Sequence, residues 1–360
     1  MERFACETVI ISGEGALSAL TEHAGKRLLL VTDKMQVSGG MADRIRGMLK
    51  PESTDCLDIV TPEPTIAQAV EGANRVKAFA PDLVVALGGG HVVDCAKAMV
   101  GFSRRTCCLV TVPTEAASGT EVTDRVTLNH NGRRHCFRNA CMRPDAAILD
   151  SSLLSAAACG KVAEGGYEIL ANSLQAYMGK YEGVLMSLHA REAFSACWGA
   201  LPAAFAGNAG ARGRLQMAAA MAGIAYDRGG LGLCRAMEDS LGVLFHLSQG
   251  RLAGILLPAV IGCNAHAAGR RLAELSRTAG LGGSSEAVGV RNLKTGLVRL
   301  RRELGLPATL TQAGVNPRWV WSNAKRIVEL TLENPECRNN PVTADDFLVR
   351  RILEEVTGHY

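Results

Sequence analysis

Four short apolar runs mark the first part of the chain: LLLVTD at 28–33, LVVALGGG at 83–90, CCLVTVPT at 107–114 and AAILD at 146–150. Each is rich in Leu or β-branched residues and ends at Gly, Pro or Asp, as a strand buried on both faces of a parallel sheet does. Helical stretches alternate with them at 41–49, 66–79 and 92–102. After Asp150 the period changes to 3.6, in Ala-, Leu- and Met-rich segments at 166–178, 187–201, 213–226, 272–279, 285–304, 318–332 and 343–356. Start signals stand at Asn316-Pro317 and at Thr343 before Asp345 and Asp346, and stop signals at Gly280 and Gly305. The pattern predicts an α/β domain with a doubly wound parallel sheet over residues 1–151 and an all-α domain over 152–360. No internal repeat or low-complexity tract interrupts either half.

Composition narrows the class. At ~150 residues per domain, 360 residues make about two domains, and 48% hydrophobic with 21% charged residues excludes a disordered or fibrous chain. With only 3 Trp, 5 Tyr and 8 Phe, the core must be built from Ala, Val, Leu, Ile and Gly, which disfavours an all-β fold. The 39 Lys+Arg stand scattered among 35 Asp+Glu, and no basic block exceeds pairs such as Arg104-Arg105, Arg133-Arg134 and Arg270-Arg271. A nucleic-acid binder carries a basic stripe instead. The opening MERFACETVIISGEG has no signal-peptide pattern, and no run of ~18 apolar residues is free of charge. The expectation is therefore a soluble, cytoplasmic protein without a membrane partner. None of the 12 cysteines forms a C-x-x-C pair and several lie in apolar runs, which predicts reduced thiols rather than disulfides or a zinc site.

The sharpest local motif is Gly88-Gly89-Gly90, between an apolar strand and a helix. Glycines there let backbone N–H groups approach a pyrophosphate, and the helix start adds partial positive charge. A tight strand-to-helix turn also needs glycine for its own geometry, so the motif alone leaves both readings open. A second strand end, Val112 to Glu121, brings Thr114 and Ser118 to the same carboxyl edge. Two such loops converge at a switch point of an open α/β sheet.

In order, LLLVTDK, PEPT, DLVVALGGGHVVDCAKA, VTVPTEAASGTEVT, PDAAILD, the helix YEILANSLQAY, GLGLCRAM, GILLPAVIGCNA and Asn339-Asn340-Pro341 resemble the iron-containing alcohol dehydrogenases. The resemblance runs from about Phe4 to the carboxyl end and is similar in particular to the ethanolamine- and propanediol-utilisation type. It implies a dehydroquinate synthase-like fold, with NAD(P) and a divalent iron or zinc ion between the two domains. In such enzymes the cation polarises the alcohol oxygen so that hydride passes to the nicotinamide. Asp33 matches the acidic residue that accepts from the adenosine ribose, which favours NAD over NADP. Asp94 and Lys97 match the glycine-rich helix, Arg134 replaces a cofactor-contacting Lys, and His91 replaces the Ser after the glycines. Thr114 and Ser118 belong to the second phosphate loop.

The departures are as telling. The family's metal is held by Asp and His four residues apart and by two later His; here those positions read Glu168, Asn172, Arg235 and Gln249. A guanidinium has no lone pair to donate, so the expectation is no iron or zinc site. A further active-site His reads Asp239, and His246, three residues before Gln249, is either a displaced ligand or a structural residue. In the phosphate loop Glu115 replaces Thr and Ala117 replaces Gly. A carboxylate ~4 Å from a pyrophosphate costs on the order of a few kcal/mol at an effective dielectric near 20.

Three readings follow. In the first, a metal-independent NAD-linked carbonyl reductase or dehydrogenase replaces the cation by a charge-assisted hydrogen bond from Arg235. Its substrate is a small carbonyl or alcohol, with an anionic one suiting it, and Arg235, Tyr167 and His246 are its proton-donor or electrophile candidates. In the second, a pseudoenzyme has a structural or regulatory role, assembling with an active dehydrogenase or sitting in a bacterial metabolic microcompartment. The third, an iron enzyme with unusual ligands, needs Arg235 to swing aside. A closed network of Arg235, Glu168 and Gln249 would favour the second reading, and an open pocket facing the nicotinamide the first. Family members are commonly dimers or larger, so the resemblance also implies a homo-oligomer.

Overall fold

In a computed structural model, the described residues are 4–24, 26–104, 107–155, 157–181 and 183–358. Arg105 and Thr106 lie outside them. The chain divides into two compact units, Arg3–Ala156 and Met1–Glu2 with Ala157–Tyr360.

The first unit has β1 (Val9–Ser12), β2 (Arg27–Val31), β3 (Ser53–Leu57), β4 (Leu83–Gly88), β5 (Cys108–Pro113), β6 (Arg125–His130), β7 (Arg133–Arg138) and β8 (Ala146–Leu149). Its α-helices are α1 (Lys34–Ser38), α2 (Met41–Leu49), α3 (Ile66–Phe79) and α4 (Gly90–Ser103). Six strands form a parallel sheet in the order β1-β8-β5-β4-β2-β3, and β6 and β7 form an antiparallel hairpin. Alternate side chains of one strand feed opposite cores: Leu28, Leu30, Leu83, Val85 and Leu87 in one, Leu29, Val31, Val84 and Ala86 in the other. Both faces are therefore apolar, which is why these strands read as continuous hydrophobic runs.

From β2 the chain steps outward to β3, then returns to β4 and steps the other way to β5 and β8. The winding reverses between β2 and β4, and ligands of open α/β sheets bind outside the carboxyl ends of strands at such a reversal. Asp33 follows β2 there, and Gly88 ends β4.

The second unit is helical: α5 (Cys159–Met178), α6 (Val184–Phe205), α7 (Ala209–Gly229), α8 (Leu233–Phe245), α9 (Gln249–Thr278), α10 (Glu286–Glu303), α11 (Pro317–Ser322), α12 (Ala324–Glu333) and α13 (Asp346–Thr357). By length and composition α9 could cross a membrane, but 72% of its most apolar window is buried, as in a core helix. The helix expected at 272–279 is only its last part. Among the described residues no disulfide forms, and Cys95, Cys197, Cys234 and Cys337 are buried.

Candidate functional site

Two polar constellations stand out, one in each unit. In the first, Gly88 has φ +155, a conformation that L side chains rarely adopt, and Gly89 caps α4 without a side chain. The Thr114 N–H donates to the Gly88 carbonyl at 3.0 Å, stitching the two loops together. A Cβ on Gly90 would lie 2.5 Å from Ser118 Oγ, and one on Gly89 would lie 2.7 Å from Glu115 Oε2 and 3.0 Å from His91 Nδ1. The Glu115 carboxylate thus packs directly on the glycine turn at the amino end of α4, where the helix dipole favours an anion. Asp33 Oδ1 accepts from the Gln36 N–H at 3.0 Å, Asp33 Oδ2 is 3.7 Å from His91 Nε2, and Gln36 Nε2 donates to Thr114 Oγ1 at 3.4 Å. Asp33, Gly88, Gly89, Gly90, His91, Thr114 and Ser118 are therefore gathered at one sheet edge.

Asp94 and Lys97 are committed elsewhere. Lys97, fully buried, donates to Thr120 O and Oγ1 at 2.8 Å, to Thr123 Oγ1 at 3.1 Å and to the Arg125 carbonyl. Asp94 accepts from the Thr127 N–H at 3.0 Å and from the Thr120 hydroxyl. Together they bolt α4 to the β6–β7 hairpin. Arg134 pairs in register with Asn129 on that hairpin.

In the helical unit, Arg235 lies in the first turn of α8. Its Nε donates to Asp239 Oδ1 at 3.1 Å, one turn further on, and Asn334 Nδ2 donates to Asp239 Oδ2 at 3.0 Å. Gln249, the first residue of α9, accepts from Arg235 Nη2 at 2.7 Å and donates to Glu168 Oε1 at 3.0 Å. The opposite amide orientation would set donor against donor and acceptor against acceptor. Glu168 thus reaches Arg235 through Gln249, and the ion pair itself is with Asp239. The two paired side chains are 13% and 10% exposed. Burial opposes the charge on Arg235, but Asp239, Glu238 and Glu168 outweigh it and hold the guanidinium firmly protonated. Arg235 Nη1 donates to no other group among the described residues.

The amino end of α8 has no side-chain cap of its own. Gln175 Oε1 accepts from the Gly232 and Arg235 N–H groups at 3.0 Å, Asn340 Oδ1 from Leu233 at 3.3 Å and Glu336 Oε2 from Leu231 at 2.7 Å. Asn340 is itself held by Asn264, through amide bonds of 3.1 and 3.0 Å. The Asn339-Asn340-Pro341 motif is thereby explained: Asn340 is a remote cap for the helix that carries Arg235.

These residues do not fit a divalent cation. The four positions offer one carboxylate and two carboxamides beside a fixed guanidinium charge. Among the described residues, no group of three or more His, Cys, Asp or Glu is placed to hold a metal.

The other two proton-donor candidates, Tyr167 and His246, stand on α5 and at the carboxyl end of α8. Tyr167 is fully buried, its hydroxyl donates to the Leu297 carbonyl, and burial drives its pKa far up. Tyr167→Phe is expected to cost about 0.5–1.5 kcal/mol of stability by removing that buried hydrogen bond, read by denaturant unfolding, with nucleotide binding unchanged. His246 is exposed at the carboxyl end of α8, roughly 15 Å along the helix from Arg235.

An unforeseen group is Glu238, fully buried beside the network. Cys234 Sγ donates to its Oε1 at 3.3 Å, and its Oε2 has no hydrogen-bond partner among the described residues. Burial, opposed by Arg235, raises its pKa from 4.5 to about 8. The native state therefore holds a proton that the unfolded chain releases above 4.5, and stability falls as pH rises from 4.5 to about 8. Glu238→Gln is expected to flatten that decline, seen as a shallower loss of melting temperature between pH 6 and pH 9.

The first unit matches the family model described as iron-containing alcohol dehydrogenase over residues 7–151. The second matches the family's C-terminal model over residues 162–357. The chain is 28% identical to 1-propanol dehydrogenase PduQ of Citrobacter freundii, over 99% of this chain and all of that one. It superposes on the iron-containing alcohol dehydrogenase of Thermococcus thioreducens with a TM-score of 0.89, 26% identity and 98% of each chain covered. It also shares its fold with sulfoacetaldehyde reductase of Bifidobacterium kashiwanohense, solved in complex with NAD+, at TM-score 0.87, 20% identity and 98% coverage of each chain.

Proposed function

The chain belongs to the iron-containing alcohol dehydrogenase family, and from that premise we propose that it is a metal-independent, NAD-linked oxidoreductase of small carbonyl or alcohol substrates. In this reading residues 1–151 bind the nucleotide and 152–360 supply the reacting end. The observation that carries it is Arg235 standing at a family ligand position, anchored by Asp239 and Gln249 and with Nη1 uncommitted.

Each nitrogen has a separable task. Nε and Nη2 fix the plane of the guanidinium, and Nη1 donates to a carbonyl oxygen, stabilising negative charge as it builds there, while the proton that completes the alcohol comes from solvent water. A substrate that carries a carboxylate or sulfonate adds a charge that the same cation attracts. NADH, when bound, supplies the hydride; Asp33 accepts from its ribose and disfavours the 2′-phosphate of NADP. The Thr114 and Ser118 hydroxyls and the glycine turn receive the pyrophosphate once Glu115 turns aside. We place the protein in the cytoplasm as a homo-oligomer, in or beside a metabolic microcompartment of the kind the resemblance implies.

A second reading, a catalytically silent relative that assembles with or regulates an active dehydrogenase, is favoured by two observations. Gln249 and Asp239 take up Nη2 and Nε of Arg235, and Glu115 packs on the glycine turn. Titration with NADH and NADPH by energy transfer from the tryptophans, with elemental analysis for metal, separates the readings. Saturable NADH binding without stoichiometric metal supports the reductase. Absence of binding by either nucleotide sinks it in favour of the silent relative, and stoichiometric iron or zinc overturns both.

A further inference from the structure

The helical unit also carries a cavity of about 660 Å³ whose lining includes Arg251, Arg301, Arg302, Gln312, Leu306 and Pro307 but none of Glu168, Arg235, Asp239 and Gln249. No acidic side chain lines it. Arg251 is neutralised by Glu164, whose Oε1 accepts from Nε at 3.1 Å and from Nη2 at 2.8 Å. Arg301 has no such partner: its Nη1 donates to the Gly254 and Ala308 carbonyls at 3.0 and 3.5 Å, and it is half removed from solvent. Arg302 meets no carboxylate among the described residues, and neighbouring Glu303 is engaged by Arg299 at 3.5 Å. Gln312 Oε1 accepts from the Ala308 N–H at 2.8 Å, which leaves its amide N–H groups as donors.

The concavity therefore presents two uncompensated guanidinium charges and an amide donor. Both arginines lie in the last turn of α10, where cations complement the helix dipole. Arg301 turns away from the terminal carbonyls of α10, however, to Gly254 and Ala308, so capping does not account for it. Arginine forks match carboxylate and phosphate oxygens bidentately. The volume lies within the ~300–1,000 Å³ of small-molecule pockets and exceeds what one inorganic anion fills.

We propose that this arginine-lined cavity is a binding site for a small organic polyanion bearing two or more carboxylate or phosphate groups, separate from the substrate site. Its ligand is a small-molecule effector.

Isothermal titration of the full chain at low salt with citrate and with inorganic pyrophosphate tests this. At least one probe is expected to bind saturably, to weaken at least tenfold in Arg302→Glu and in Gln312→Glu, and to weaken further with added salt. Both residues are on the surface side of the cavity, so an unchanged melting temperature certifies the fold. Should Arg302→Glu not fold, Gln312→Glu decides. The proposal is overturned if neither probe binds, or if binding is indifferent to the substitutions. Pyrophosphate binding alone that both variants leave intact belongs to the glycine turn, and also overturns it.

Discussion

Arg235→Met is expected to lower the unfolding free energy by about 3–5 kcal/mol, the cost of leaving a buried carboxylate without its cation. The affected groups are Asp239, paired at 3.1 Å, and Glu168, linked through Gln249. Urea denaturation at pH 7.5 measures it. Adding Asp239→Asn to Arg235→Met should return part of the loss, since the orphaned charge goes with its partner. A cost below about 1 kcal/mol would mean that the network contributes no more than a surface ion pair.

Glu115→Thr is expected to tighten NADH binding by at least tenfold. The carboxylate lies against Gly89, so a pyrophosphate entering the turn meets it at contact range. At ~4 Å and an effective dielectric near 20 the repulsion is about 4 kcal/mol per charge pair, and even a third of that is about a tenfold change in affinity. Thr also restores a hydroxyl donor. Nicotinamide fluorescence titration at low and high salt reads the effect, and the advantage of the variant should narrow as salt screens the wild-type repulsion. Equal affinities would show that Glu115 swings clear at no cost. An added Asp33→Asn should bring NADPH binding closer to NADH, because the acid that repels a 2′-phosphate is gone.

The parts of the fold that were legible were those where one physical requirement dominates. Buried parallel strands must be apolar on both sides, so β2, β4, β5 and β8 stood out as uninterrupted runs. The edge strands β1 and β3 are short and only partly buried, and they left no such mark. The hairpin of β6 and β7 is largely polar, although Asn131-Gly132 between them, both at positive φ, is a recognisable hairpin turn. Within the helical unit α8 was missed because its amino end is capped by distant side chains rather than by a local Ser, Thr or Asp. The identities of Glu168, Asn172, Arg235 and Gln249 were readable, but not which of them meet. That Gln249 links Glu168 to Arg235, and that Asn334 supports Asp239, required three dimensions, as did the commitment of Tyr167 and Asp94 to internal bonds.

The remote cap on α8 also constrains when the Arg235 network can assemble. Leu231 and Leu233 are held by Glu336 and Asn340, more than 100 residues later in the chain. During synthesis, α8 leaves the ribosome long before its caps exist, and its first turn must wait with unsatisfied N–H groups. In the first unit β1 waits in the same way for β8, but every strand partner of the sheet lies within residues 4–155 and is complete before α8 is made. A nascent chain halted before residue 336 would therefore hold a finished sheet and an unfinished arginine seat, and chaperone engagement should concentrate on that interval.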